Sequence, residues 1–298
     1  MLHPISVRLR PRLLASACGA VLALCATGAA LADTVSFAYT GAQQSFTVPA
    51  GVTLVKITAA GAQGGIVTGN GGPFAGGLGA TMSGEFSVTP GSVLQVVVGG
   101  QGNPSVYTSG GGGGSGVSLG ATALIVAGGG GGVDYQDLSY TGRHATTATV
   151  GVDGNNNAGS GGTAGADGSD FTYSGNNTSR GGRGWLSGGA GSTGLNGVSA
   201  STTVTVGSWG LGGGGGSVGE GYCNCGGGGG GYSGGGSAGT NASGGGGGSY
   251  NSGANQANVA GNHSGNGVVT LEYTAQAVAP QPVPLFSWWA LLALLPLL

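Results

Sequence analysis

Charged residues are scarce in this chain. They make up 5% of its 298 residues, with seven Lys and Arg against nine Asp and Glu. So few cations offer no basic surface to a nucleic acid. Disordered segments usually combine low hydrophobicity with high net charge, and this chain lacks the second feature. The composition therefore disfavours both a nucleic-acid-binding protein and a typical disordered one.

Groups that carry catalysis are also scarce. Beyond residue 32 the chain has two histidines, His144 and His263, and neither lies in a recognisable triad context. Gly-x-Ser-x-Gly occurs at Ser217, Ser233 and Ser237, but such matches arise by chance in a glycine-rich chain, and none opens a helix after a strand. We therefore expect no enzyme activity and no cofactor, with a secreted hydrolase as the minor alternative.

Metal-binding patterns are incomplete. Asp153, Asn155 and Asn157 have the spacing of a calcium loop, but Ala158 stands at the position that requires glycine. Ala164 stands where the closing Glu belongs. We expect no metal site, and calcium binding by these loops is the alternative hypothesis.

Two cysteines, Cys223 and Cys225, lie beyond residue 32. Oxidising compartments favour disulfides, so a local disulfide between them is one interpretation. The other is that both are small residues at a turn between glycine runs. A metal site would need further ligands, and the sequence shows no such cluster.

Residues 1–32 are predicted to be a secretory signal peptide. An apolar core spans 13–26, and Ala30-Leu31-Ala32 is a cleavage site that places the cut between Ala32 and Asp33. The basic residues that precede the core are Arg8, Arg10 and Arg12. Their removal leaves four basic residues against nine acidic ones, a net charge of −5. A transmembrane helix is the alternative, but the apolar stretch is short for one.

Glycine, by contrast, is abundant. It accounts for 75 residues without a strict Gly-X-Y period, which excludes collagen. The long glycine runs are 110–114, 128–132, 212–216, 226–231 and 244–248. Fixing one residue's backbone costs about 1–2 kcal/mol, and glycine loses the most freedom. Ordered runs would therefore need strong compensation.

Two models fit these runs. In the first they are flexible Gly/Ser linker. In the second each run is an extended helix of three residues per turn, the polyproline II shape that glycine adopts as polyglycine II, packed beside other runs. Such a helix makes no internal hydrogen bonds, so its backbone groups must bond to neighbouring segments. The packed model predicts that Val at Gly228 or Gly229 is far more damaging than Val at Gly168, which we place in a polar loop.

Strand patterns surround the runs and predict a mainly β fold. Residues 80–88 alternate apolar and polar side chains, and 93–98, which contain one polar residue, Gln95, are apolar on both faces. Further strands are predicted at 35–39, 46–48, 52–57, 124–126, 202–206 and 268–273. The polar stretch 134–198 is predicted to form long irregular loops.

Several segments resemble, in order, the glycine-rich domain of the extracellular region of anaplastic lymphoma kinase and leukocyte tyrosine kinase, and of many bacterial surface proteins. They are 76–91, 94–102, 123–132, 226–235 and the closing strand 267–273. The resemblance implies an antiparallel β-sandwich-like framework with packed polyglycine II helices. In the receptors this region serves ligand binding. No site residue carries over, because the matching positions are glycines and apolar strand residues.

The C-terminal tail carries a second resemblance. Residues 275–284 form a Pro/Ala/Gln linker, and an apolar segment, 285–298, follows. Pro284, Ser287 and Trp289 match the Gram-negative sorting signal that begins Ile-Pro-Thr-Leu-Ser and continues to Trp-Gly. That signal implies transient membrane association and a sorting protease. The basic cluster that usually ends it is absent here, and a merely sticky tail is the alternative.

The expected protein is thus a signal peptide (1–32), a glycine-rich domain (33–274), a linker (275–284) and a sorting or anchor segment (285–298). The expected function is non-catalytic: a bacterial surface or matrix protein that adheres to or binds an extracellular protein or glycan. A disordered matrix component is the alternative.

Overall fold

The protein is mainly β. The computed structural model describes residues 31–156, 158–173, 177–187, 211–216 and 223–275, which belong to one unit, Ala30–Gln276. In the described part the only helix is a 3₁₀ turn at Thr141–Arg143, and the sheets are antiparallel. The predicted fold class, mainly β with an antiparallel framework, is confirmed.

The strands in chain order are β1 (Leu31–Ala38), β2 (Gln44–Thr47), β3 (Leu54–Ala60), β4 (Ile66–Val67), β5 (Phe74–Ala75), β6 (Gly79–Ser87), β7 (Val93–Val97), β8 (Ser115–Leu119), β9 (Thr122–Ala127), β10 (Phe171–Tyr173), β11 (Asn177–Ser179), β12 (Tyr250–Asn251), β13 (Ala254–His263) and β14 (Val268–Ala275). The first sheet has the order β1-β14-β3-β6-β13, and the second β12-β9-β8-β7-β2. β4 pairs with β5 and β10 with β11 as small hairpins.

The main core draws side chains from both five-stranded sheets. On β3, Val55 and Ile57 are buried while Lys56 between them is exposed, as expected of a strand with one covered face. Leu94 on β7 and Ile125 on β9 belong to the same cluster. Burying one such side chain contributes about 1.5–3 kcal/mol, so this core anchors the framework.

The glycine runs bond to one another outside the sheets. The N–H groups of 226–231 donate hydrogen bonds to three neighbouring segments in turn, so that every third residue donates to the same segment. The bonds are Gly226 to Ala242, Gly229 to Gly245, Gly227 to Ser109, Gly230 to Gly112, Gly228 to Arg180 and Gly231 to Arg183, with lengths of 2.8–3.2 Å. We call the runs and their bonded partners the glycine bundle.

The carbonyl groups of the same run accept from three further segments. Donors to this run are Gly129 and Gly132, Gly214, and Gly235 and Ala238. The run therefore has six neighbours and is buried throughout. Close approach of this kind leaves no room for side chains: a Cβ at Gly229 would overlap the carbonyl oxygen of Gly129. The three-residue repeat is observed, while the polyglycine II conformation itself stays a prediction.

The described part of 134–198 has no regular secondary structure apart from the 3₁₀ turn, β10 and β11, as expected of loops, but Gly168 does not lie in a loose polar loop. Gly168 donates to the carbonyl of Gly182 at 2.9 Å, and a Cβ there would overlap the oxygen of Gly235. Gly168 thus belongs to the glycine bundle. On the other side of a turn at Ala164–Gly165, where φ is positive, Gly159 and Gly162 are buried at a spacing of three and donate to Ser237 and Gly234. A helix of three residues per turn needs glycine only on its inner side, so long unbroken runs are unnecessary.

Candidate functional site: the acidic loop and the tyrosine surface

The segment Asp134–His144, here called the acidic loop, follows the 128–132 run directly. Four of its side chains have shifted pKa values: Asp134, Tyr140, Arg143 and His144. Perturbed titratable groups tend to cluster at functional sites, although structural networks produce them too. This loop is therefore a candidate functional site.

Asp134 is fully buried at the start of the loop. Its Oδ1 accepts the Gln136 N–H at 2.8 Å, whereas its Oδ2 has no hydrogen-bond partner. Burial raises the pKa of Asp134 to about 7; the Gln136 N–H opposes the rise, and the nearby Asp137 adds to it. The carboxyl group therefore holds its proton to near-neutral pH.

Asp137 ties the loop to the glycine bundle through Ser243. Its Oδ2 accepts the Ser243 N–H and the Asn155 side-chain amide, both at 2.9 Å. The Ser243 hydroxyl donates to the Asp137 carbonyl at 3.1 Å and accepts the Asp134 N–H at 3.1 Å. Since Ser243 immediately precedes the 244–248 run, these bonds fix where that run begins.

Arg143 closes the loop on itself. Its Nη1 donates to the carbonyls of Leu138 at 2.9 Å and Tyr140 at 2.5 Å. Burial lowers the pKa of Arg143, and Asp137 opposes that shift. The Tyr140 hydroxyl donates to the Asp153 carbonyl at 2.5 Å, and burial, followed by the charges of Asp153 and Asp137, raises its pKa. The loop is thus held by many polar contacts.

Exposed apolar side chains lie on the acidic loop and on the segment 106–107 that is bonded to it. We call Val106, Tyr107, Tyr135 and Leu138 the tyrosine surface. The rings of Tyr107 and Tyr135 lie 6.2 Å apart at a tilt of 54°, and Val106, Tyr107 and Leu138 are 51%, 41% and 42% exposed. The Tyr135 N–H donates to the Tyr107 carbonyl at 3.2 Å, so the two segments are fixed to each other. The two rings lie next to a polar side chain, since the Gln136 side-chain amide donates to the Tyr135 hydroxyl at 2.6 Å.

The histidines have structural partners. Burial, and then the charge of Arg143, lowers the pKa of His144, whose Nδ1 accepts the Leu78 N–H at 2.9 Å. His263 Nε2 lies 2.8 Å from the Asn266 carbonyl. Ser233 accepts the Gly165 N–H and Ser237 donates to the Ser169 carbonyl. Ser217 lies outside the described residues. Within the described ranges, no histidine bonds to a serine or aspartate side chain.

The calcium-like residues are used for local contacts. Asp153 Oδ1 accepts the Gly161 N–H at 2.8 Å, and Asn155 donates to Asp137. Asn157 lies outside the described residues. In the part of the chain that the structure describes, no three His, Cys, Asp or Glu side chains are grouped to hold a metal ion.

Cys223 and Cys225 are joined by a disulfide, and both are buried. The bridge encloses Asn224, which takes the left-handed conformation with a φ of 47°. The Asn241 N–H donates to the Cys223 carbonyl at 2.8 Å, and Ala238 and Ala242 pack against both cysteines. The pair lies directly before the 226–231 run.

The residues of the predicted cleavage site lie on β1. Ala32 stands opposite Thr274 and Asp33 opposite Tyr273 on β14. Pro284, Ser287 and Trp289 of the predicted sorting signal lie outside the described residues, as does most of the predicted signal peptide. Among the described residues, no helix is long and apolar enough to span a membrane.

No family model matches this chain, and no curated protein matches it. Its function is therefore argued from its own residues.

Proposed function

We propose that this chain is an exported, non-catalytic glycine-rich protein of a Gram-negative cell surface or extracellular matrix, which adheres to or binds an extracellular protein or glycan. The predicted signal peptide, the resemblance to bacterial and receptor glycine-rich domains and the sorting-signal match at Pro284, Ser287 and Trp289 support export and surface retention. A sorting protease acts at the C-terminal segment, which associates transiently with the membrane.

The tyrosine surface carries the binding part of this proposal. Exposed apolar patches with a polar border mark interaction sites, and tyrosine is enriched at them because it combines a large apolar ring with a polar tip. The patch lies on segments that hydrogen bonds attach to the glycine bundle. A rigid base of this kind lowers the entropy lost on binding.

A matched pair of tyrosine variants tests the proposal. Tyr107→Ala removes one ring of the patch, whereas Tyr173→Ala removes a ring of similar exposure, 39%, on the β10–β11 hairpin. We measure binding of each purified variant to a glycan array and to the proteins of the organism's own extracellular matrix. Binding lost in Tyr107→Ala and kept in Tyr173→Ala supports the proposal. Equal binding by both variants overturns the placement of the site.

Two alternatives predict different observations. A disordered matrix component predicts uniformly fast amide exchange, whereas the hydrogen bonds of the glycine bundle favour slow exchange in 226–231. A secreted hydrolase predicts turnover that His144→Ala or His263→Ala abolishes. The hydrogen-bond partners of the two histidines favour structural roles instead.

A further inference from the structure

A row of charged side chains crosses the outer face of the first sheet. Glu272 on β14 stands opposite Lys56 on β3, and Lys56 stands opposite Glu85 on β6. Lys56 Nζ lies 3.2 and 3.4 Å from the two carboxylate oxygens of Glu272. At the far end, the Asn255 side-chain amide donates to Glu85 at 2.7 Å. The charges therefore alternate in sign along neighbouring strands.

This row is one cation short. It holds two carboxylates and one ammonium, and on the next strand, β1, the uncharged Thr34 stands opposite Glu272. Above the row lies a groove of about 390 Å³ whose walls include Ala32, Leu54, Glu272 and Thr274. The edge strand thus approaches Glu272 without offering it a positive charge.

We propose that cleavage after Ala32 supplies the missing cation, because the new α-ammonium group of Asp33 pairs with Glu272 and completes an alternating row of four charges. The inference rests on the export part of the proposed function. In the reaction, water adds across the Ala32–Asp33 peptide bond, leaving a carboxylate on Ala32 and an ammonium group on Asp33. Asp33 adjoins Thr34, which stands opposite Glu272, and neighbouring strands lie about 4.7–4.9 Å apart, so the Glu272 side chain can turn one carboxylate oxygen from Lys56 towards that ammonium group.

The new ion pair offsets a loss that cleavage itself causes. Cleavage removes the pairing of Leu31 with Ala275 and of Ala32 with Thr274, which shortens β1, the edge strand of the first sheet as described. A charge at the new terminus fastens the shortened strand to β14. It also balances the charges of the row itself, since the carboxylate of Asp33 projects from the opposite face of β1. Processing and the stability of the first sheet are thereby linked.

The pKa of the α-amino group measures this pair directly. An α-amino group ordinarily titrates at about 7.7–8.0, and a nearby carboxylate raises that pKa. We follow the acetylation rate of Asp33 against pH by mass spectrometry, in a mature chain that begins at Asp33. The expected pKa lies about half a unit to one unit above the ordinary range. Glu272→Gln should return it to that range.

Glu85→Gln is the matched control, because Glu85 lies at the other end of the row, two strands from β14. It should leave the α-amino pKa unchanged. Equal α-amino pKa values in the wild type and in Glu272→Gln overturn the inference. A second measurement covers stability: α-acetylation should lower the thermal midpoint of the wild-type mature chain and leave that of Glu272→Gln unchanged.

The first residue of the naturally exported protein separates the two proposals. If mass spectrometry finds Asp33 there and its α-amino pKa is ordinary, export stands and the ion pair fails. If the native chain begins elsewhere, the proposed cleavage site fails, and with it the inference for the native protein.

Discussion

Arg183 and Asp167 form an ion pair of 2.7 Å, and the other oxygen of the same carboxylate accepts the N–H of Gly184 at 2.8 Å. Three residues away on each segment, Arg180 and Asp170 repeat the arrangement: an ion pair of 2.7 Å with the Gly181 N–H bonded to the second oxygen. The shared step of three residues shows that side chains follow the same repeat as the backbone bonds of the glycine bundle.

Removing the more buried of these two pairs should cost more stability. The Arg183–Asp167 side chains are 24% and 31% exposed, against 43% and 33% for Arg180–Asp170. Arg183→Met should lower the free energy of unfolding by about 1–2 kcal/mol, because it also leaves Asp167 without its cation. Arg180→Met should cost less than about 1 kcal/mol, since solvent screens that pair. Urea unfolding of both variants gives the comparison, and equal losses would contradict it.

Valine at Gly229 should destabilise the domain severely. The N–H of Gly229 donates to Gly245 and its carbonyl accepts from Gly235, both at 2.8 Å. A side chain there forces these segments apart, and each buried group left unpaired costs about 1–3 kcal/mol. The thermal midpoint should fall by tens of degrees, or the variant should fail to fold.

Gly168→Val, first expected to be tolerated, should be comparably damaging. The useful control is Gly91→Ala, where φ is +82° and no atom lies within 4 Å of the added Cβ. That change introduces backbone strain alone, which costs about 1–2 kcal/mol. A midpoint for Gly229→Val no lower than that for Gly91→Ala would contradict the packed bundle.

Stability should depend on pH through Asp134. Its pKa is about 7 in the folded protein and near 3.9 when unfolded, so between these values the folded state binds the extra proton. The free energy of unfolding should therefore fall as pH rises from about 4 to about 7, by about 4 kcal/mol in all. Asp134→Asn should remove this slope, whereas Asp33→Asn, which replaces an exposed carboxylate, should keep it. Chemical unfolding at several pH values measures both, and an unchanged slope in Asp134→Asn would refute the assignment.

The Cys223–Cys225 disulfide should protect both thiols in the exported protein. A thiol-blocking reagent should add no mass to the unfolded mature chain until a reductant is present. Because the bridge closes a very short loop, the double Cys→Ser variant should lose only about 1–2 kcal/mol. Labelling of the unfolded chain without a reductant would show that the bridge is absent.

Apolar patterns in the sequence predicted most of the framework strands. The strand predicted at 80–88 is observed as β6 at Gly79–Ser87, and that at 93–98 as β7 at Val93–Val97. β13 was missed because its residues are exposed along nearly the whole strand, so no buried face imposes a period of two. β8 was missed as well: Ser115, Gly116 and Ser118 are small, buried residues without an apolar pattern.

Much of the candidate site was not predictable. Asp134 carries no local signal of burial, since its surroundings depend on Thr108 and Ser243, which are distant in the sequence. Tyr107 and Tyr135 likewise meet only through the fold. Gly159 and Gly162 were a usable signal, because their spacing of three matches the repeat of the bundle and both donate to the segment 234–237.

Because the hydrogen-bond direction repeats every three residues along 226–231, the length of a glycine run determines which segments its later residues bond to. Adding one glycine would turn every later N–H by a third of a turn about the axis of the run. Each later N–H would then point at a different neighbouring segment and lose its hydrogen-bond partner. Adding three would restore the direction and merely lengthen the run by one turn. The number of glycines in this run should therefore be constrained as strictly as their identity. The number of residues in a low-complexity stretch therefore determines which segments of the fold pack against one another.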